Sequence, residues 1–231
     1  MFLRRRRVWI PALVTVLILG IAALGNQLVR SSAESRIAET FACELKTSAP
    51  ATAHLQNRWA AVGALEGDLG RVTIATEKAR LGGTAMDLTA TLEHVTTGGR
   101  TSGGNASAAI DYAELQKRLG DDLQLAGNGE NLLINTTFGI PVTVYATLAA
   151  GPQAVTVTPV QVSALGRKYS IAALLSSPFG KALPKNQLTA RSIPLPGLPA
   201  GTILTAATPA TDGLHLALRL PPVTATPDCA R

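Results

Sequence analysis

Four stretches of this chain alternate apolar and polar residues with a period of two, the pattern of a strand with one greasy face. In the first, Met86, Leu88, Ala90 and Leu92 alternate with Asp87, Thr89, Thr91 and Glu93. In the second, Val142, Val144, Ala146 and Leu148 alternate with Thr143, Tyr145 and Thr147. The third runs through Val155 and Val157 and then Val160 and Val162, so its phase slips by one residue around Pro159. A bulge at that point keeps the same face inward. The fourth is Leu214, Leu216, Leu218 and Leu220, after a turn at Asp212-Gly213. Strands of this kind need a covering layer, and short helical patterns between them supply it. The expected architecture is α+β, with a curved antiparallel sheet.

Ser31 with Glu34 three residues on has the form of a capping box and predicts a helix start, with Ile37, Phe41 and Leu45 as its apolar stripe. Asp111 and Glu114 predict another helix start, with Ile110 and Leu115 placed as a hydrophobic staple and Gly120 as the stop. Ile171 to Leu175 predicts a third, shorter helix. Residues 46–57 are polar and contain Pro, and Thr96 to Ser107 hold four Gly and nothing apolar larger than Ala. Both stretches read as loops, and Gly127-Asn128-Gly129 reads as a turn.

Arg4, Arg5, Arg6 and Arg7 precede Val8 to Val29, 22 residues without an ionisable side chain. About 20 apolar residues span a bilayer as a helix, and a basic flank stays on the cytoplasmic side. Residues 1–30 therefore read as a signal peptide or a signal-anchor helix, and 31–231 as a single exported domain. Ala23-Leu24-Gly25 offers small residues at the spacing a signal peptidase accepts, whereas the length of the run suits a retained anchor. The expected location is the periplasmic side of the cell envelope, either anchored in the plasma membrane or secreted after cleavage.

Beyond Gly25 there are 17 basic and 15 acidic residues, a balance that gives nucleic acid no general attraction. The distribution is uneven, because residues 131–211 carry no Asp or Glu and five cations: Arg167, Lys168, Lys181, Lys185 and Arg191. Gathered on one side, these would contact an anionic head group or membrane surface. The alternative is scattered, solvated charge.

Catalytic patterns are absent from the sequence: no Gly-x-Ser-x-Gly elbow, no phosphate loop, no Gly-x-Gly-x-x-Gly after a strand and no His-Glu-x-x-His. His94 and His215, the latter on the polar phase of its strand, read as solvated surface histidines, and Asp121-Asp122 reads as a solvated turn. Three scattered His and two Cys assemble no metal set. The expectation is a protein with no enzymatic activity, no cofactor and no metal. Cys43 and Cys229 stand on the exported side, where oxidising conditions favour pairing. Their disulfide would tie the first helix to the C-terminal tail; the alternative is two unpaired thiols.

Several segments follow one another in a recognisable order. After the Arg-rich apolar run come Ala33 to Glu39, then Gly67-Asp68-Leu69-Gly70-Arg71-Val72-Thr73-Ile74, then Ile110-Asp111-Tyr112-Ala113-Glu114-Leu115. Val157 to Val162 leading to Gly166, and Leu198 to Leu204 leading to Asp212-Gly213-Leu214, complete the series. Together they resemble the LmeA-type family of actinobacterial envelope phospholipid-binding proteins, over essentially the whole exported domain. Where that family carries a Gly-Phe-Pro-Phe-like segment after the first helix, this chain has Arg58-Trp59-Ala60-Ala61-Val62. The resemblance implies a fold like half of a tubular lipid-binding (TULIP-like) protein, with the curved sheet wrapped around a helix, and binding of phospholipid in an apolar cavity. The inward strand faces are the candidate lining. They comprise Met86, Leu88 and Leu92; Val142, Val144 and Leu148; Val157, Val160 and Val162; and Leu214, Leu216 and Leu218. The implied partners are phospholipid, anionic in view of the acid-free block, and the membrane. The competing reading is a membrane-anchored envelope interaction protein with a filled core and no ligand.

Overall fold

A computed structural model of the chain describes residues 26–42, 50–57, 59–81, 83–119, 123–137, 140–176, 189–195 and 198–224. The arginine cluster, most of the uncharged run, Cys43, Cys229, Lys181 and Lys185 lie outside the described residues. Among the described residues no helix is long and apolar enough to cross a membrane.

Residues 26–42 form helix α1, followed by strand β1 (Ala51–Leu55), helix α2 (Ala60–Glu66) and the long hairpin of β2 (Asp68–Leu81) and β3 (Thr84–Thr96). Then come β4 (Arg100–Thr101), β5 (Gly104–Ile110), α3 (Tyr112–Leu119), β6 (Gln124–Gly127), β7 (Leu132–Thr137), β8 (Pro141–Ala150) and β9 (Ala154–Ala164). The remainder is β10 (Arg167–Ser170), α4 (Ile171–Ser176), β11 (Arg191–Pro194), β12 (Ile203–Pro209), β13 (Leu214–Leu220) and β14 (Val223–Thr224).

The fold is α+β, but the strands make two open antiparallel sheets where one sheet wrapped around a helix was expected. The first has the order β1-β2-β3-β5-β13-β12, and the second β10-β9-β8-β7-β6 with β11 also against β9. A ribbon of β4 and β14 completes the strands. The sheets meet where Val155 of β9 joins the buried cluster of Leu88, Ala108, Leu204 and Leu216 from the first sheet. The Leu204 N–H donates to the Pro152 carbonyl at 3.1 Å, which fixes the β8–β9 turn against β12.

The alternating segments keep their phase. In β13, Leu214, Leu216 and Leu218 are buried while His215 and Arg219 are exposed. The bulge in β9 falls where the phase slips: Tyr145 faces Gln161 and Ala146 faces Pro159, leaving Val160 as the extra, exposed residue. Two readings change. The expected loop at Thr96 to Ser107 contains β4 and the first four residues of β5, a central strand between β3 and β13 that buries Ala106 and Ala108. The expected loop at 46–57 contains β1. Small or mixed residues become strand in both places because tertiary neighbours satisfy their backbone groups, β3 and β13 for β5 and β2 for β1.

α1 is already helical at residue 26, so Ser31 caps nothing and its hydroxyl donates to the Leu28 carbonyl inside the helix. Glu34 works elsewhere. Its Oε1 accepts the Leu55 N–H of edge strand β1 at 2.9 Å and an Arg30 Nε–H at 3.0 Å, while Arg30 Nη2 donates to the Leu55 carbonyl at 2.7 Å. The pair thus satisfies the outward backbone groups of an edge strand and seats α1 beside it. α3 begins after Asp111, whose carbonyl accepts from Glu114 and Leu115 N–H. Tyr112 then anchors it by donating its hydroxyl to the Ala210 carbonyl at 2.8 Å.

Two outcomes follow. Glu34→Ala should lower stability by about 1–3 kcal/mol in chemical denaturation, because it strands a half-buried N–H, whereas Glu34→Gln, which keeps an acceptor, should cost less. Burial first, and Asp212 second, push the Tyr112 phenol up to about 12. The fold therefore favours neutral phenol: the contribution is complete below the unfolded value of about 10 and is lost as pH rises through about 12. Ultraviolet titration should find one of the three tyrosines ionising late, and Tyr112→Phe should remove that late step.

Candidate functional site

A cavity of about 1370 Å³ lies between α1 and the first sheet. Drug-sized pockets run to roughly 300–1,000 Å³, so this space suits a longer molecule. Its roof is α1. Val29, Ala33, Ile37 and Phe41 follow one another at four-residue spacing, as do Leu28, Ser32, Arg36 and Thr40, and all eight line the cavity. At 1.5 Å rise per residue, the stretch from Leu28 to Phe41 runs about 20 Å.

The floor explains why the space is not filled. Across the first sheet, Leu88 pairs with Ala108 and Ala108 with Leu216; one step along, Ala90 pairs with Ala106 and Ala106 with Leu218. The central strand β5 thus contributes alanine at both steps, and where Ala106 lies beside Ala90 a trough remains above the sheet. Gly104, at the start of β5, is small for a separate steric reason: a Cβ there would lie 2.1 Å from the Thr91 carbonyl oxygen of β3, so the two strands pair this closely only without a side chain. Leu88, Ala90, Leu92, Ala106, Leu218 and Leu220 all line the cavity.

Two of its lining residues carry charge, Arg36 and Arg80, and both are cationic and exposed. Neither forms an ion pair among the described residues. Arg80 does reach Glu114 electrostatically. That carboxyl is held below its usual range by Lys117 first, with the Ala85 N–H and Arg80 adding. Thr202 also lines the cavity; it is buried, and among the described residues its hydroxyl has no hydrogen-bond partner. A buried hydroxyl in an apolar wall without a partner is uncommon.

Of the twelve residues expected to line a cavity, Leu88, Leu92 and Leu218 do so here. Leu214 and Leu216 are buried in the core of the first sheet, and Met86, Leu148 and Val157 pack against it. Val162 is buried in the second sheet, Val142 and Val144 are half-buried there, and Val160 is turned out by its bulge. Leu88, Leu92 and Leu218 are thus brought together, and the residues of the second sheet are not among the cavity's lining. Sequence reasoning missed Ala90 and Leu220, which share the phase of their neighbours, and the α1 residues, whose four-residue spacing was the available signal.

The acid-free block divides similarly. Arg167 and Lys168 stand on β10 and Arg191 on β11, both paired with the same side of β9, and none of the three lines the cavity. Lys168 Nζ sits 5.2 Å from the centre of the Tyr145 ring. The histidines are exposed beside carboxylates, His94 at 3.2 Å from Asp68 and His215 at 3.1 Å from Asp212. The Asp68 carboxyl lies below its usual range, chiefly through the Gly70 N–H and next through His94. Among the described residues no group of three His, Cys, Asp or Glu is arranged to hold a metal.

Fold and cavity together define an α+β protein with an elongated apolar chamber under a helix, edged by cations. The chain belongs to the LmeA-like phospholipid-binding family, whose model matches residues 24–219. No curated protein and no solved structure matches it.

Ala106→Leu is the direct probe of the floor. Extra methylenes forced into a packed core cost about 1–3 kcal/mol. Here the added carbons enter the trough, so the melting temperature should hold or rise. A fall of the size that overpacking produces would refute the trough.

Proposed function

We propose that this protein binds phospholipid in the cell envelope, with the acyl chains in the cavity beneath α1 and the phosphate toward Arg36 and Arg80. The single observation that carries the reading is the large apolar cavity in a member of a phospholipid-binding family. An acyl chain of about 16 carbons at roughly 0.8 kcal/mol per methylene supplies on the order of 10 kcal/mol before losses, so apolar walls suffice to hold it. Cationic residues as the charged lining favour an anionic lipid. The helix roof and trough floor play the part that the lumen plays in half of a tubular lipid-binding protein. The cavity also supports this reading over that of a filled core. The role is binding without catalysis, on the periplasmic side, with the N-terminal run as anchor or cleaved signal, in support of lipid or glycolipid handling.

The test is the lipid retained by the full chain after extraction from membranes in mild detergent and washing, identified by mass spectrometry. Stoichiometric phospholipid, enriched in anionic species over the source membrane, is the expected result. Ser32→Trp places an indole in the cavity mouth without touching the core, and it should lower retained lipid several-fold. Replacing both Arg36 and Arg80 with Gln should cut the anionic preference roughly tenfold, the scale of lost hydrogen bonds to a charged group. A wild-type chain that retains no phospholipid would refute the proposal.

A further inference from the structure

Helix α2 inverts the usual arrangement of a surface helix. Its buried residues are the small ones, Ala60 and Gly63, and a Cβ on Gly63 would come within 2.5 Å of the Asp68 carbonyl oxygen. Its large apolar residues point the other way: Val62 is 48% and Leu65 89% exposed, and Trp59 at the N-cap is 65% exposed. Residues three apart on a helix differ by about 60° in direction, so these three share one outward face spanning about 120°. An outward cluster of this kind marks a surface that meets another apolar phase.

Its position says which phase. Asn26, which lies within the uncharged run Val8 to Val29, accepts the Ala61 N–H on its Oδ1 at 3.0 Å. α2 is therefore fixed beside the point where that run enters the domain. Leu28, two residues after Asn26 and 69% exposed, lines the cavity together with Val29 and with Ala64 of α2. Tryptophan beside aliphatic residues is the composition of a membrane interface.

We infer that α2 is a membrane foot: Trp59, Val62 and Leu65 lie in the lipid interface beside the N-terminal segment, which places the α2 end of the cavity against the bilayer from which lipid enters. The inference rests on the proposed reading of that segment as membrane-borne and of the cavity as the lipid site. Its occupant is a lipid surface rather than a second protein.

Trp59 reports on it directly. The chain has two tryptophans, so Trp9→Phe leaves Trp59 as the sole tryptophan, excited selectively at the red edge of its absorption. The full chain carrying that change would be reconstituted into phosphatidylcholine vesicles with and without lipid brominated near the head-group end of the acyl chains. Expected are strong quenching by the brominated lipid and shielding from aqueous acrylamide. Adding Val62→Ser and Leu65→Glu should abolish both while circular dichroism stays unchanged. Free access of acrylamide with no quenching by brominated lipid overturns the inference. So does shielding without lipid quenching, which would mean that another protein surface, such as a second copy, covers α2. Retained lipid measured on the same chain reports separately on the cavity: lipid held with Trp59 in water removes the foot alone, and quenched Trp59 with no retained lipid removes the cavity reading alone.

Discussion

The chamber depends on how α1 is held at the open edge of β1. An edge strand presents N–H and C=O groups that must find partners or water. Here the Arg30–Glu34 pair, one helical turn apart, takes both outward groups of Leu55, a residue that is 1% exposed. Leu55 in turn sits in the cluster with Val72, Ile74 and Val95, against which Ala33, Ile37 and Phe41 pack. One ion pair thus converts a sheet edge into a mounting for a helix. The face of α1 turned to the sheet is then set, because residues 29, 33, 37 and 41 must follow 30 and 34 around the same helix.

A helix mounted over a sheet ordinarily fills the gap with side chains, since interiors pack to crystal-like density. What prevents this is the small-residue strand β5 at the centre of the sheet, where Ala106 lies beside Ala90 on one strand and Leu218 on the other. Phe41 reaches both core clusters, and the volume beside it stays open. Gly63 in α2 applies the same device to another end: a missing side chain lets the helix settle against Asp68 and turns its larger residues outward.

Charge is sorted in keeping with this geometry. The carboxylates near the chamber are engaged, Glu34 by Arg30 and Leu55 and Glu114 chiefly by Lys117, while the guanidinium groups of Arg36 and Arg80 border the apolar lining. Arg167, Lys168 and Arg191 lie along the β9 edge of the second sheet, away from the lining. The cations therefore divide between two places, the lining of the cavity and the outer side of β9.

Much of the local structure was legible in the sequence. Leu88 and Leu218 face inward as their alternation requires, and the bulge falls at Pro159–Val160 where the phase slips. These features are local because successive side chains on a pleated strand point to opposite faces, whatever lies across from them. The order of short segments likewise identified the family. Other features were decided by the tertiary structure. β5 is a strand because β3 and β13 pair with it, although Thr96 to Ser107 carries loop composition. Glu34 bonds to Leu55 rather than closing a capping box, because α1 begins upstream of Ser31 and an edge strand offers a better partner. Of the twelve alternating residues expected to line a cavity, Leu88, Leu92 and Leu218 do so, because alternation sets a residue's face without setting what that face meets. Whether the space beyond is filled depends on side-chain volumes brought together from α1, β3, β5 and β13, and only the packed chain sums them.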